Sequence, residues 1–344
     1  MPISLCDRDP VVAGDRLLAD LVPPPRFSAV SFESYRPDPA QPTQAAAVGY
    51  LERFADSLHS RPVRRSWLRS AHPVSGPGGV YLDGGFGVGK THLLASLWHV
   101  APPPRLFATF VELTHLVGAL GFHEAVEELS RYTLVCVDEF ELDDPGDTVL
   151  VSTLMRRLRE AGVRLAATSN TLPGKLGEGR FATADFMREI QGLAASFDSV
   201  RIDGEDYRHR GLPDAPEPLD AESVVATLAG EWDALDRFDE LTRHLAEVHP
   251  SRYGAMLDGV GRLGLLGVSP VRDQAVALRL VVLADRLYDR GVPVIASGVP
   301  FDRLFTDDLL QGGYRKKYFR AVSRLVALAR ESTGPVEGER AAGE

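Results

Sequence analysis

The chain has 344 residues, of which 44 % are apolar and 25 % charged, and it carries a net charge of −10. That length implies one enlarged domain or two, and the composition is that of an ordinary globular protein, which excludes a disordered or fibrous chain. The acidic balance argues against bulk electrostatic affinity for nucleic acid or an anionic membrane.

The N-terminus MPISLCDRDP has neither a basic segment nor an apolar signal core, and no apolar run is long enough to span a bilayer, so the expected location is cytoplasmic. Cys6 and Cys136 give no disulfide framework and no metal-ligand spacing. Only Lys90, Lys175, Lys316 and Lys317 are lysines, and Asn170 is the one asparagine, so a Lys or Asn retained against this bias is informative.

In chain order, residues 1–43 are rich in proline and read as an extended arm. Ala47, Val48, Leu51, Phe54, Ala55 and Leu58 predict a helix over 44–58. A strand over 80–82, a glycine loop and a helix over 90–99 follow, stopped by Pro102, Pro103 and Pro104. Strands are then predicted at 106–110, 132–137, 163–168 and 199–202, with a helix marked by Leu150, Leu154 and Leu158 between the second and third. Apolar strands alternating with amphipathic helices indicate a mostly parallel sheet flanked by helices, an α/β core over 44–210. The proline- and acid-rich stretch 211–218 is the candidate boundary to a mixed, mainly helical C-terminal region over 219–332, in which a helix at 276–288 leads into a strand, VPVIASG. Residues 333–344 read as a disordered tail.

The chemistry concentrates at three strand ends. Gly84-Gly85-Phe86-Gly87-Val88-Gly89-Lys90-Thr91 matches the P-loop pattern and lies between a strand and a helix, as its mechanism requires. Glycines let backbone N–H groups turn towards phosphate oxygens, and the helix N-terminus adds its positive dipole end. Lys90 would bridge the β- and γ-phosphates, Thr91 would ligate Mg2+, and His92 follows them at the same helix start. Leu134 to Val137 then deliver Asp138 and Glu139 at a strand end, Asp138 for the magnesium shell and Glu139 to polarise the attacking water.

Ala167-Thr168-Ser169-Asn170 ends the next strand, where Asn170 can orient that water or touch the γ-phosphate; Asn before a turn is also common without such a role. Asn170 is followed by Thr171 rather than Lys, so the guanine-reading Asn-Lys-x-Asp motif is absent and ATP is the expected nucleotide. Arg180, Arg188 and Arg201 follow at distances suited to stabilising transition-state charge, although in so arginine-rich a chain most arginines face solvent.

These motifs together resemble the ZapE family, bacterial cell-division AAA+ ATPases related to a mitochondrial quality-control ATPase. The resemblance is carried by PPPRFSAVSFESYRPDPAQPTQAAAV, VCVDEFELDD, LAATSNTLP, GEDYRHR, ADRLYDRGVPVIASG and YFRAVSRLVAL, spread over nearly the whole chain. It implies a P-loop NTPase of the AAA+/ASCE type that hydrolyses ATP, acts on FtsZ filaments and assembles as a homo-oligomer. The family places its arginine finger in a Gly-Leu-Gln-Arg segment. Here the stretch is LGEGRFATADF, where an ungapped match gives Thr183 and a shifted loop gives Arg180. Phe86 and FATFVELTHLVGAL also depart from the family pattern. The alternatives are a helicase-loader-like ATPase, for which Tyr314, Arg315, Lys316, Lys317, Tyr318 and Phe319 form the candidate nucleic-acid patch, and an ATP-binding scaffold without turnover.

Overall fold

Val80, Leu82 and Cys136 pack into one hydrophobic cluster, while Tyr81, Val135 and Val137 pack into another. That alternation is the period of a strand buried on both faces, so each strand needs helices on either side. The computed structural model describes residues 2–10, 18, 21–59, 78–85, 87–142, 145–177, 183–204, 215–228 and 230–333. The chain divides into two units, Ala13–Arg210 and Met1–Val12 with Gly211–Glu344.

In the first unit, helix α1 (Pro42–His59) precedes β1 (Gly79–Gly84), α2 (Lys90–Val100) and β2 (Arg105–Thr109). Then come α3 (Phe110–Leu120), α4 (Phe122–Leu129), β3 (Leu134–Asp138), α5 (Pro145–Glu160), β4 (Arg164–Ser169), α6 (Met187–Ala194) and β5 (Phe197–Ile202). The strands form one parallel sheet in the order β2-β3-β4-β1-β5. Leu51 and Phe54 of α1 and Leu93, Leu94 and Leu97 of α2 cover one face, and residues of α3, α5 and α6 cover the other.

Helix α3 has no counterpart among the elements expected from sequence. It starts directly after β2 in a capping box, with Thr109 Oγ1 accepting from the Glu112 amide and Glu112 accepting from the Thr109 amide at 2.8 Å. The outer edge of β2 is also covered, because the Phe107 amide donates to the Leu21 carbonyl at 2.9 Å.

The second unit holds α7 (Ala221–Thr227), β6 (Asp233–Arg237), α8 (Phe238–Glu247), the short α9 (Tyr253–Met256), β7 (Arg262–Val268), α10 (Gln274–Arg290), β8 (Val294–Gly298), α11 (Asp307–Gln311) and α12 (Arg315–Thr333). It is mainly helical, yet β6, β7 and β8 pair in parallel in that order. Of these, the sequence pattern announces only β8. The charged DALDR and glycine-interrupted RLGLLGV do not look like strands, and tertiary burial decides them.

The opening segment is not one arm. Ile3 forms a parallel bridge to Ala234, donating to the Asp233 carbonyl and accepting from the Leu235 amide, each at 2.9 Å. Leu5 is fully buried, and Asp236 accepts from the Leu5 amide at 2.9 Å. The edge of β6 away from β7 supplies the physical reason: its backbone groups at Asp233 and Leu235 find their partners in Ile3. Helices α10 and α12 are joined through buried Asp285, 2.6 Å from Arg320 and also paired with Arg324. Tyr318 is buried against Phe305, which removes it from the basic aromatic patch expected at 314–319, whereas Phe319 is half-exposed. The expected tail beyond Thr333 lies outside the described residues.

Candidate active site

Strand β1 ends at Gly84 and α2 begins at Lys90, so the glycine loop spans the gap between them. Two positions in it require glycine. A Cβ on Gly84 would stand 2.3 Å from the Ile202 carbonyl oxygen, and Gly89 has φ of 86° with the Tyr35 ring where its Cβ would go. Phe86 lies outside the described residues. Helix α2 carries no acidic residue in its own first turn, so no side chain of the helix itself offsets its positive end. Lys90 is nearly buried, and its Nζ donates to the Gly84 carbonyl (3.1 Å), the Gly85 carbonyl (2.6 Å) and Asn170 Oδ1 (2.8 Å).

The N-terminal segment grips this loop from outside, which the sequence pattern does not reveal. Tyr35 donates its hydroxyl to the Val88 carbonyl at 2.8 Å, and burial pushes that hydroxyl up to about 12. The His92 ring sits edge-on to Tyr35 and within 2.9 Å of Ser34 Oγ and 3.1 Å of the Ser31 carbonyl. His92, expected at the phosphate site, therefore has its side chain engaged by residues 31–35. The Val88 carbonyl is held on Tyr35, so the N–H of the same peptide plane, on Gly89, is directed away from the tyrosine hydroxyl.

Because β4 lies between β1 and β3, the three strand tips meet in one place. Thr91 Oγ1 lies 3.2 and 3.0 Å from the two oxygens of Asp138. Thr168, on the neighbouring strand, also donates to Asp138, and it accepts from the Glu139 amide at 3.1 Å. Glu139 has φ of 54°, the single left-handed φ on a non-glycine residue among the described residues. A non-glycine residue held there stores about 1–3 kcal/mol of strain, which its neighbours must enforce. The Phe140 amide does so from the next position, donating to the Thr168 carbonyl at 2.7 Å.

Asn170 follows β4 directly. Its amide donates to Glu141 Oε1 at 3.3 Å while its side chain accepts from Lys90. Of the three arginines, Arg201 is engaged by Asp83 and Asp203, each at 2.8 Å, and those contacts raise its basicity further. Arg188 lies exposed on α6, and Arg180 lies outside the described residues. Cys136 is fully buried, with its thiol pushed well up by burial, which marks a core residue. Sequence reasoning missed Tyr35, Thr168 and Glu141. The one signal for Thr168 is a polar side chain inside an apolar strand.

The model of the AFG1-like ATPases matches residues 11–235 and 219–333. The chain belongs to the AFG1-like ATPase family. Within it, the cell division protein ZapE of Escherichia coli K12 is 32 % identical over 298 residues, covering 74 % of this chain and 78 % of that protein. A Schizosaccharomyces pombe protein, C115.02c, is 30 % identical over 198 residues, covering 51 % and 44 %. Among solved structures, DnaI aligns with a TM-score of 0.39 at 18 % identity, over 52 % of this chain and 94 % of that one. As an AFG1-like ATPase of the ZapE type, the chain is a nucleotide-binding P-loop ATPase. Among the described residues, no helix is long and apolar enough to cross a membrane.

Proposed function

We propose that this chain hydrolyses ATP with Mg2+ and couples the cycle to modulation of FtsZ ring assembly in cell division. The observation that carries the catalytic half is the meeting of Thr91 and Asp138, whose oxygens lie 3.0 Å apart at the start of α2. A hydroxyl and a carboxylate are hard donors of the kind magnesium takes while keeping most of its waters. When bound, the ion neutralises phosphate charge as it develops.

In this reading, Gly84, Gly85, Phe86, Gly87, Val88 and Gly89 wrap the phosphates, with Lys90, Thr91 and His92 at the helix start. Lys90 exchanges its bonds to the loop carbonyls and Asn170 for phosphate oxygens. Glu139 polarises the attacking water from its strained turn. Asn170, released by Lys90, orients that water. Arg180 completes the site across a subunit contact in a homo-oligomer, a role for which Arg201 is unsuited because Asp83 and Asp203 engage it. FtsZ enters through the family resemblance, and the cell-division name of the Escherichia coli relative supports that setting at the cytoplasmic division site.

Steady-state ATPase rates with and without FtsZ polymer, and separately with single-stranded DNA, test both halves. Stimulation by FtsZ polymer is expected, whereas stimulation by DNA alone would favour a helicase-loader-like role. Glu139→Gln should keep ATP binding and lose about 10²-fold or more in kcat, the usual contribution of a positioned base. Lys90→Ala should lose binding or turnover outright. Wild-type turnover by both variants would discard the assignment.

A further inference from the structure

Glu141 lies just past the Asp138-Glu139 pair, is 7 % exposed and has no part in the scheme above. Its carboxylate is met by three consecutive residues. Ser169 Oγ donates to Oε1 at 3.1 Å, the Asn170 amide donates to the same oxygen at 3.3 Å, and Thr171 Oγ1 reaches Oε2 at a weaker 3.5 Å. Ser169 Oγ in turn accepts from the Thr171 amide at 3.0 Å, and the Tyr81 hydroxyl donates to the Thr171 carbonyl at 2.8 Å.

A carboxylate removed from water costs several kcal/mol unless donors surround it, so its placement demands a reason beyond space filling. The adjacent Phe140 already fills space, fully buried with its ring edge-on to Tyr81 and Phe110. What Glu141 adds is direction. Its donors are the residues before, at and after Asn170, and it stands on the turn that forces Glu139 to a left-handed φ. The water-polarising residue and the water-orienting residue are thus tied to each other through one side chain.

We propose that Glu141 is a positioning residue that holds Asn170 in register with Glu139, so that both face the same water. The proposal rests on the role given to Asn170 above. With the Asn170 backbone fixed at its amide, its side chain can exchange Lys90 for the nucleotide or water without the β4 tip moving. Without Glu141, the segment retains the Tyr81 contact and the Asn170–Lys90 bond but loses the restraint on direction.

The test is a double-mutant cycle in the full chain, measuring kcat and, separately, the affinity for a fluorescent ATP analogue. Glu141→Ala is expected to lower kcat about ten-fold or more while affinity changes less than about three-fold, the signature of an interaction that matters in the transition state. Glu141→Gln keeps an acceptor oxygen for the Asn170 amide and should lose less. In an Asn170→Ala background, adding Glu141→Ala should change kcat less than about two-fold, because coupled residues are non-additive. If Glu141→Ala does not fold by circular dichroism, Ser169→Ala, which removes one donor, should show the same pattern at smaller size. Independent, multiplying effects of Glu141→Ala and Asn170→Ala would overturn the proposal. So would equal loss of affinity and kcat, or no loss at Glu141 while Asn170→Ala is impaired. A fully active Asn170→Ala protein would instead overturn the role of Asn170 itself.

Discussion

Lys90 Nζ donates to Asn170 Oδ1 at 2.8 Å, joining the start of α2 to the tip of β4. The bond is charge-assisted on the donor side and neutral on the acceptor side, strong enough to place both groups and weak enough to yield to phosphate. Asn170→Asp would turn it into an ion pair in a nearly buried setting. ATP affinity should then fall about ten-fold or more, as Lys90 prefers the carboxylate and a negative charge faces the phosphates. Isothermal titration at two salt concentrations checks this, and unchanged affinity would mean Lys90 does not contact the nucleotide.

Thr168 holds both carboxylate residues in place, donating to Asp138 and accepting from the Glu139 amide. Thr168→Val keeps the shape and removes both bonds. A buried group left without its partner costs about 1–3 kcal/mol, so the apparent magnesium requirement should rise several-fold in a magnesium titration of ATPase rate. A titration identical to wild type would place the ion elsewhere.

Tyr35 belongs to the N-terminal segment yet shapes the P-loop. Tyr35→Phe removes one hydrogen bond to Val88, worth about 1 kcal/mol, and should weaken ATP binding about five-fold with kcat little changed. Gly89→Ala should be far worse, since the added methyl would meet the Tyr35 ring at 2.5 Å and φ is 86°. Equal affinity of wild type and Tyr35→Phe would show that the segment does not tune the loop.

Alkaline pH probes the same packing. Burial pushes the Tyr35, Tyr50 and Tyr318 hydroxyls up to about 12, and Tyr81 is also raised. An unfolded chain ionises its tyrosines near 10, so above that pH it binds fewer protons than the folded one. Stability should be unaffected by these groups below about pH 10 and fall as pH rises towards 12. The last part of the tyrosinate absorbance and the circular dichroism should change together; absorbance of all nine tyrosines developed near pH 10 with the fold intact would contradict the burial of these rings.

The P-loop, the Asp138-Glu139 pair and Asn170 are legible in the sequence because each requirement is local. Glycine spacing fixes a backbone path, Lys-Thr opens a helix, and an apolar run ending in acids marks a buried strand and its exposed tip. Short apolar runs likewise reveal the strands of the first sheet, whereas β6 and β7 escape notice because charge and glycine break the run. Tyr35 and Glu141 leave no local mark and Thr168 leaves only its polarity within an apolar strand, for the partners of Tyr35, Thr168 and Glu141 lie 53, 30 and 28 residues away. Their value exists only once β4 is inserted between β1 and β3 and residues 31–35 cross the loop. Residue chemistry alone determined that this chain binds nucleotide phosphates. The tertiary structure decided which hydroxyl, carboxylate and amide lie beside those residues, because hydrogen bonds reach about 3 Å and sequence distance says nothing about which groups come that close.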